Sequence, residues 1–280
     1  DHKMVVKDIT NDNGWELKPF NELLSTNRSG DLIVKNKFRA KKSCKWYGKE
    51  KATFCLPYEK NLNTTPKNFN PEINMDSFLE FLGWYLAEGS TYKGTSGYVT
   101  TITQLKNKVY IEEICSCIEK MGFTPFISGK DIRFNSKDMY NYLVQFGKCY
   151  EKYIPSFVKD LSSRQIIILL TSLFKGDGTL NKEDGRWVKY TTTSKRLAED
   201  IQECLLKIGL SGAISSKDPS LKKLGKIGDR FIKGIRTQYT VSINRSFNEP
   251  SMHYANLLEI DYDGKVYCAT VKNHNMFIER

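Results

Sequence analysis

Apolar residues recur at helical spacing in five segments of the chain, and between these segments they alternate with polar residues at strand spacing. The helical spacing predicts helices at residues 76–88, 107–121, 136–147, 162–176 and 195–208. The alternating spacing predicts strands at residues 97–104, 186–193, 212–216 and 236–244, and a hairpin across residues 124–135. With a short strand after Gly89, the first group of elements has the order αββαββα, and the second group follows the same order.

The chain repeats itself within this helical region. Residues 111–128 align without a gap on residues 198–215 at a constant shift of 87, and seven of the eighteen aligned positions are identical. The predicted helices upstream of the two copies end at Glu88 and Asp177, a nearly equal shift of 89. We therefore expect an α+β fold built from two pseudo-symmetric αββαββα repeats.

Short strands and turns dominate both ends of the chain. A polar segment with two prolines precedes the first helix, which is typical of a domain boundary near residue 70. The last thirty or so residues have β character, with a hairpin about Asp263 and Gly264. We predict one flanking all-β module that the repeats interrupt. The predicted domains are residues 1–70 and 248–280 for the β pieces, and residues 71–150 and 151–247 for the two repeats.

Small residues recur four apart on the two helices that end at the acids. Gly83 and Ala87 form this stripe on the first helix, and Ser172 and Gly176 form it on the second. A stripe without bulky side chains lets two helix backbones approach closely. We therefore expect the two helices to cross each other along these stripes.

Each of these helices ends with an acid followed by a glycine. Gly89 and Gly178 are predicted to end the helices in the left-handed conformation. Glu88 and Asp177 would then stand where the helix dipole disfavours negative charge, and close to each other across the crossing. A divalent cation would relieve both penalties, and carboxylates with backbone carbonyls favour Mg²⁺ over zinc. The alternative is a solvated acid before a capping glycine.

The predicted metal site therefore uses the Glu88 and Asp177 carboxylates and the backbone at Ala87 and Gly176. Mg²⁺ is the expected cofactor, with Mn²⁺ able to substitute for it. The seven cysteines of the chain form no CxxC pair, and they read as reduced packing residues rather than as zinc ligands or a disulfide framework.

Lysine and arginine exceed the acids by 11, which favours a polyanionic partner such as DNA or RNA. Basic residues cluster at residues 35–51, interleaved with aromatic residues, and again at residues 217–236. A solvated face is the alternative for either cluster taken alone. The chain has no apolar run long enough to span a membrane and no signal-peptide pattern, so we expect a cytoplasmic or nucleoid-associated protein that is not secreted.

The segments FLGWYLAEG and LTSLFKGDG resemble the two motifs of the LAGLIDADG homing endonucleases, in the monomeric two-motif form. The resemblance covers about residues 73–246, although Lys175 stands at a commonly acidic position. It implies that the terminal acids bind catalytic metal and that two saddle-shaped sheets lie in the DNA major groove. It also implies a monomer that cuts both strands of a long, imperfectly palindromic site and leaves 3′ overhangs.

Two lysines and a glutamine are candidates for the remaining catalytic roles. Lys152 matches a lysine that stands before Ile-Pro in intein-type members, although a surface lysine is the alternative. Lys233 is the candidate for the other half of the site, with Lys226 beside it. Gln104 follows the predicted strand 97–104 and could orient a metal-bound water, with Ser194 at the corresponding place in the second repeat.

Groove-facing strands and both basic clusters supply the candidate DNA contacts, because their polar and basic side chains can bond base edges and phosphates. These candidates are Lys35, Lys37, Arg39, Lys41, Lys42, Lys45, Thr101, Thr103, Arg186, Lys189, Thr191, Thr193, Lys222, Lys223, Arg230 and Arg236.

Both ends of the chain resemble parts of the Hint splicing domain of inteins. His2 lies in a segment similar to the one that assists the first acyl shift, and His274 lies in one similar to the end of an intein. Splicing needs a nucleophilic Cys or Ser at the start and an Asn at the end. Because this sequence starts at Asp1 and ends at Arg280, we expect its splicing module to be inert.

The sequence leaves three functional hypotheses. The leading one is an intein-encoded, metal-dependent, site-specific endonuclease that cuts double-stranded DNA. The second is a LAGLIDADG protein that has lost cleavage and binds nucleic acid or acts as a maturase. The third is a fragment of a protein-splicing element. Retention of both acids favours the first.

Overall fold

Residue contacts divide the chain into two units, one formed by Asp1–Cys44 with Arg245–Arg280 and the other by Lys45–Asn244. The computed structural model describes residues 3–10, 14–30, 32–35, 38–40, 46–57, 72–94, 97–104, 107–219, 225–227, 230–232 and 235–244. The division falls at residue 44, not at the predicted residue 70. The physical reason is that the strand at Thr53–Cys55 pairs with the strand at Glu72–Asn74, directly before the first motif helix.

The first unit contains short antiparallel strands in its described part. Its elements are β1 (Lys3–Asp8), β2 (Trp15–Pro19), a 3₁₀ turn (Phe20–Leu23), β3 (Leu24–Thr26), β4 (Leu32–Val34) and β5 (Phe38–Ala40). One sheet has the order β2-β1-β5, and β3 pairs with β4. Val6, Leu23, Val34 and Phe38 form its buried cluster. The predicted C-terminal β segment, residues 248–280, lies outside the described residues.

The first half of the second unit begins with β6 (Thr53–Cys55) and β7 (Glu72–Asn74). Its other elements are α1 (Met75–Glu88), β8 (Gly89–Gly94), β9 (Gly97–Thr103), α2 (Lys108–Lys120), β10 (Phe126–Ser128), β11 (Asp131–Asn135) and α3 (Lys137–Leu143). From α1 onward the order is αββαββα. The four strands after α1 form one antiparallel sheet in the order β10-β11-β9-β8.

The second half of this unit repeats the arrangement. Its elements are α4 (Ser156–Lys159), α5 (Ser163–Asp177), β12 (Gly178–Leu180), β13 (Trp187–Thr192), α6 (Lys195–Lys207), β14 (Ser211–Lys217), β15 (Gly225–Ile227), β16 (Arg230–Ile232) and β17 (Gln238–Asn244). Its four-stranded sheet has the order β12-β13-β17-β14. The predicted long basic loop contains the hairpin β15–β16. The segment after Asn244, which would complete the second repeat, lies outside the described residues.

Helices α1 and α5 lie at the centre of the core of this unit. Helix α1 buries ten of its residues, because α5 covers one side of it while the first sheet and α2 cover others. Asparagine and serine side chains begin the helices by accepting hydrogen bonds from backbone N–H groups in the first turn. These caps are Asn74, Asn107, Ser136, Ser162 and Ser194.

Polar contacts hold residues 49–51 against the start of both motif helices. The Arg164 guanidinium, in the first turn of α5, pairs with Glu50 at 2.5 Å and with Asp76 of α1 at 2.6 Å. The Gln165 side chain donates to the Lys51 carbonyl and to Asp76, at 2.7 and 2.9 Å. This end of the helix pair is therefore tied together by side chains, whereas the opposite end carries the two acids.

Candidate active site at the ends of the two motif helices

The two motif helices cross through their small residues, as the sequence predicts. A Cβ added at Gly83 would overlap the Ser172 hydroxyl, and one added at Gly176 would overlap the Ala87 methyl group. Each glycine of one helix therefore faces the small side chain of the other. Because nothing larger fits between the backbones, the crossing brings the C-terminal ends of α1 and α5 together.

Both glycines that end these helices are extended, so the predicted left-handed conformation is wrong. Gly89 has φ −87° and Gly178 has φ −79°, because the chain runs directly from each helix into a strand. Glycine is needed here for space. A Cβ at Gly89 would lie 2.6 Å from the Tyr85 carbonyl oxygen, and one at Gly178 would lie 2.5 Å from the Phe174 carbonyl oxygen.

Glu88 and Asp177 line the same open cavity, which has a volume of about 570 Å³. Gly176 also lines it, together with Thr103 and Gln104 at the end of β9. The cavity thus receives an acid from each repeat and polar side chains from the first sheet. The helix crossing places both acids at one cavity.

A second, smaller cavity of about 180 Å³ also borders the ends of the two helices. Asp177 and Ala87 line it, together with Thr191 and Thr192 of the second sheet. Strand register relates the two cavities. Gly89 pairs with Ile102 in the first sheet as Gly178 pairs with Tyr190 in the second, so Thr103 and Gln104 correspond to Thr191 and Thr192.

Surrounding protein perturbs the charges at the site. The Asp177 side chain reaches solvent, yet burial of its remaining surface raises the pKa of this carboxyl group, and Lys152 partly opposes the effect. The pKa of Tyr190 is raised by burial first and then by the negative charges of Asp177 and Glu88. Tyr190 therefore lies within electrostatic range of both acids.

Lys152 is a buried residue, not a surface lysine. Its side chain is 4% exposed, and its ammonium donates to the carbonyls of Tyr85 and Gly89 at 2.7 and 2.8 Å. It therefore caps the C-terminus of α1 on both sides of Glu88. Burial lowers the pKa of Lys152 to about 8, although the charges of Asp177 and Glu88 favour its protonated form.

The oxygen atoms at the helix ends are of the chemical type that hard divalent cations bind. Glu88 and Asp177 supply carboxylates, while Ala87 and Gly176 place backbone beside them. Among the described residues, no group of three or more His, Cys, Asp and Glu side chains could hold a metal ion. A cation here would therefore complete its coordination with carbonyl, water or substrate oxygens, as Mg²⁺ commonly does.

Gln104 and Ser194 do not occupy equivalent places. Gln104 is buried at the cavity, and its backbone N–H donates to the Lys130 carbonyl at 3.0 Å. Ser194 instead begins α6, where its hydroxyl donates to the Lys152 carbonyl at 2.6 Å and accepts from a backbone N–H. The counterpart of Gln104 is Thr192, and pairing Ser194 with Gln104 was wrong because Ser194 caps a helix.

The first sheet places Thr101 and Thr103 beside two residues that the sequence prediction missed. The Thr103 hydroxyl donates to Asp131 at 2.8 Å, and Asp131 pairs with Arg133 at 2.7 Å. Thr101 lies opposite Arg133 in the strand register, and the Thr101 hydroxyl and the Arg133 Nε are both buried with no hydrogen-bond partner among the described residues. Alternation along β11, which puts Asp131 and Arg133 on one face, was the signal available in the sequence.

In the second sheet, Lys189 and Thr191 lie on one face of β13, and the Thr191 hydroxyl contacts that of Thr240 at 3.2 Å. Thr193 follows the strand, and its hydroxyl lies 3.8 Å from the Cys149 sulfur. Two predicted arginines have other partners. Arg186 pairs with Asp184 in the turn before β13, and Arg236 stacks 3.3 Å from the ring centre of Tyr150.

The other candidates are outside this site or outside the described residues. Lys35 and Arg39 belong to the first unit, where the Lys35 ammonium donates to the Glu22 carbonyl and Arg39 to the Phe38 carbonyl. Lys226 and Arg230 lie in the hairpin β15–β16, of which only the backbone is described. The candidates outside the described residues are Lys37, Lys41, Lys42, Lys45, Lys222, Lys223, Lys233, His2 and His274.

No helix in the described part of the chain is both long enough and apolar enough to cross a membrane.

Residues 164–239 match the family model of the LAGLIDADG-like domain. This segment begins in α5 and ends in β17, so it contains Asp177 and most of the second repeat. The second half of the unit is therefore similar to a LAGLIDADG-like domain.

Three curated proteins share part of their sequence with this chain. The ATP-dependent Clp protease proteolytic subunit of Chlamydomonas moewusii is 31% identical over 68% of this chain and 20% of its own length. The C-terminal section of the RNA polymerase subunit beta of Stigeoclonium helveticum is 28% identical over 86% of this chain and 26% of its own. The DNA polymerase II large subunit of Thermococcus kodakarensis is 30% identical over 50% and 8%. The chain thus spans about a quarter or less of each relative.

Solved structures are also similar to part of this chain. A variant of the homing endonuclease I-DmoI has a TM-score of 0.43 and 15% identity, covering 62% of this chain and 91% of that one. The homing endonuclease I-WcaI, bound to its DNA recognition sequence, has a TM-score of 0.35 and 14% identity, covering 65% and 85%. The N-terminal LAGLIDADG domain of DUF199/WhiA has a TM-score of 0.36 and 10% identity, covering 60% and 76%.

Proposed function

We propose that this chain is a site-specific endonuclease of the LAGLIDADG type that hydrolyses both strands of a DNA duplex. The observation that carries the proposal is the cavity shared by Glu88 and Asp177, one acid from each repeat. Two carboxylates that line one cavity repel each other without a counter-charge, and both stand at the negative ends of helix dipoles. A site that tolerates these penalties is suited to binding cations.

The chemistry is hydrolysis of a phosphodiester. Water adds to phosphorus, one ester P–O bond breaks, and the leaving oxygen takes up a proton. A bound Mg²⁺ would neutralise charge on the phosphoryl oxygens and lower the pKa of a coordinated water. Glu88 and Asp177 would hold the cation, and Gln104 would orient the attacking water from the end of β9. Lys152 would keep the end of α1 in place by capping its carbonyls.

DNA binding is supported by charge and by the two sheets. The chain has a net charge of +11, and β9 and β13 carry polar side chains beside the two acids. Thr103 would contact DNA from the first sheet, and Lys189 and Thr191 from the second, whereas the buried Thr101 hydroxyl would not reach the duplex. Because one chain supplies both repeats, we propose a monomer that reads a long, imperfectly palindromic site.

The curated relatives support an inserted element of the intein type. A protease subunit, an RNA polymerase subunit and a DNA polymerase share no activity, yet each contains a segment similar to this chain. A segment that moves between host genes explains this distribution better than any one of those activities does. We propose that residues 1–44 and 245–280 belong to a Hint-like module around the endonuclease, with His2 and His274 as its splicing-related residues.

The deciding experiment uses Glu88→Gln and Asp177→Asn, with Glu112→Gln on the exposed face of α2 as the matched control. Cleavage sites are first selected from a randomised duplex library with Mg²⁺, and end-labelled products show whether 3′ overhangs form. Each acid variant should cut at least about 100-fold more slowly while binding DNA almost unchanged. If both variants cut normally, the metal assignment fails. If the wild-type protein binds DNA but never cuts, the cleavage-deficient alternative is correct.

A further inference from the structure

The two cavities beside the acids differ at one matched position. Lys175 stands two residues before Asp177, and Leu86 stands two residues before Glu88. Each residue lines the cavity of the other repeat. Lys175 lines the cavity that Gln104 of the first sheet enters, and Leu86 lines the cavity bordered by the second sheet. One cavity therefore contains an ammonium group where its counterpart contains a hydrocarbon side chain.

Lys175 lies at the surface of the cavity that Glu88 and Asp177 share. Its ammonium pairs with Glu113 of α2 at 2.6 Å and lies 5.6 Å from the ring centre of Tyr110, which also lines the cavity. The side chain is 28% exposed, whereas Leu86 is 2% exposed. The ammonium can therefore reach a ligand in the cavity by giving up one ion pair.

Stability does not account for this lysine. A partly exposed ion pair such as Lys175–Glu113 contributes little to folding. A lysine in the last turn of α5 does favour the helix dipole, but the same turn of α1 has leucine instead. The distinguishing feature of Lys175 is its place beside Glu88 and Asp177, where a phosphate held by cations would meet a further positive charge.

We propose that Lys175 binds a non-bridging oxygen of the DNA phosphate that enters the cavity of the first repeat, and that none of the described residues lining the second cavity supplies an equivalent cation. This inference rests on the proposed function and adds to it a difference between the two strands. The strand whose phosphate meets Lys175 is cut faster than the other strand. Cleavage therefore proceeds through a nicked duplex that carries the break on one defined strand.

The test is strand-resolved cleavage of a selected target duplex, with each strand carrying its own end label. Lys175→Met removes the charge and keeps most of the side-chain length. It should slow the faster strand by about tenfold or more, the effect of losing one charge-assisted hydrogen bond, and leave the slower strand within about twofold. Lys120→Met, on α2 and outside the cavity, is the charge-matched control and should change neither rate.

Two further variants separate phosphate binding from a structural role. Glu113→Gln weakens the ion pair but keeps the lysine, so the faster strand should be cut at least as fast as in the wild-type protein. Lys175→Arg should recover most of the rate. If Glu113→Gln and Lys175→Met slow cleavage equally, or if Lys175→Met slows both strands alike, Lys175 acts through the fold and the proposal is wrong.

A binding measurement distinguishes failure of this inference from failure of the proposed function. The affinity for a mixed-sequence duplex is measured from low to physiological ionic strength, without metal. Lys175→Met should reduce the slope of log affinity against log salt by about 1, and Lys120→Met should not. If the wild-type protein cuts neither strand but the slopes differ, the phosphate contact stands and the endonuclease proposal fails. Equal slopes for wild type and Lys175→Met overturn the contact.

Discussion

Burial of Lys152 predicts how the stability of the repeat unit depends on pH. The ammonium is withdrawn from water and capped by two carbonyls, and burial lowers its pKa from 10.5 to about 8. Between these values the unfolded chain binds a proton at Lys152 that the folded chain has lost. Stability contributed by this residue therefore rises with pH across the interval, and the full penalty of burying the charge is present below pH 8.

The size of the effect follows from the same pKa values. Linkage gives about 1.4 kcal/mol for each pH unit between about 8 and 10.5, so the whole interval corresponds to about 3 kcal/mol. The unfolded chain also loses protons from its tyrosines and cysteines in this range, whereas burial raises the pKa of Tyr190, Cys117 and Cys204 in the folded chain. The informative quantity is therefore the difference in unfolding free energy between the wild-type protein and Lys152→Met, in which those groups cancel.

Urea denaturation followed by far-ultraviolet circular dichroism measures this difference at a series of pH values, in chelator to remove divalent cations. The difference, wild type minus variant, should be constant up to pH 7 and should rise by about 2 kcal/mol by pH 10. Lys195→Met, at an exposed lysine of α6, is the control and should give a flat difference. A difference for Lys152→Met that stays constant or falls would refute the burial argument.

Three further substitutions test the packing around the site by thermal and urea denaturation. Gly83→Ala should lower the free energy of unfolding by about 1–3 kcal/mol, because its methyl group would overlap the Ser172 hydroxyl. A gain in stability would show that the two helices can move apart at little energetic cost. Asp200→Asn should cost about 2 kcal/mol, because asparagine has one acceptor oxygen where the buried carboxylate accepts from both the Ile154 N–H at 2.8 Å and the Lys159 ammonium at 2.9 Å. An unchanged midpoint would contradict this. Ser194→Ala should cost about 1 kcal/mol through loss of the α6 cap, and Ser194→Thr should restore most of it.

The repeat could be predicted from the sequence, because the spacing of apolar residues and the similarity of the two copies are visible in the sequence itself. Helical spacing and the constant shift between copies predicted the motif helices and the strands that follow them. The crossing could also be predicted, because the absence of side chains at Gly83 and Gly176 is visible without a structure. Once two helices are known to cross at given residues, the meeting of their terminal acids follows from geometry.

Other features depend on tertiary contacts that no local pattern encodes. Glycine suits both left-handed and extended backbone, so the sequence at Gly89 and Gly178 could not separate a helix cap from a close approach. Nothing in the sequence around Lys152 separates it from a surface lysine. Its burial results from its contact with the end of α1. The units divide at residue 44 rather than near residue 70, because residues 53–55 pair with the strand Glu72–Asn74 on the far side of a proline-containing segment. Composition alone does not predict this pairing.

The contacts at the helix crossing are reciprocal, and this restricts how such a molecule could be recombined. Gly83 receives Ser172 of the opposite helix, and Gly176 receives Ala87. A hybrid that joins either half to a half from another protein would need the glycine and its small partner to be exchanged together. Recombination of the two halves should therefore give a folded protein only when each glycine is exchanged together with its small partner.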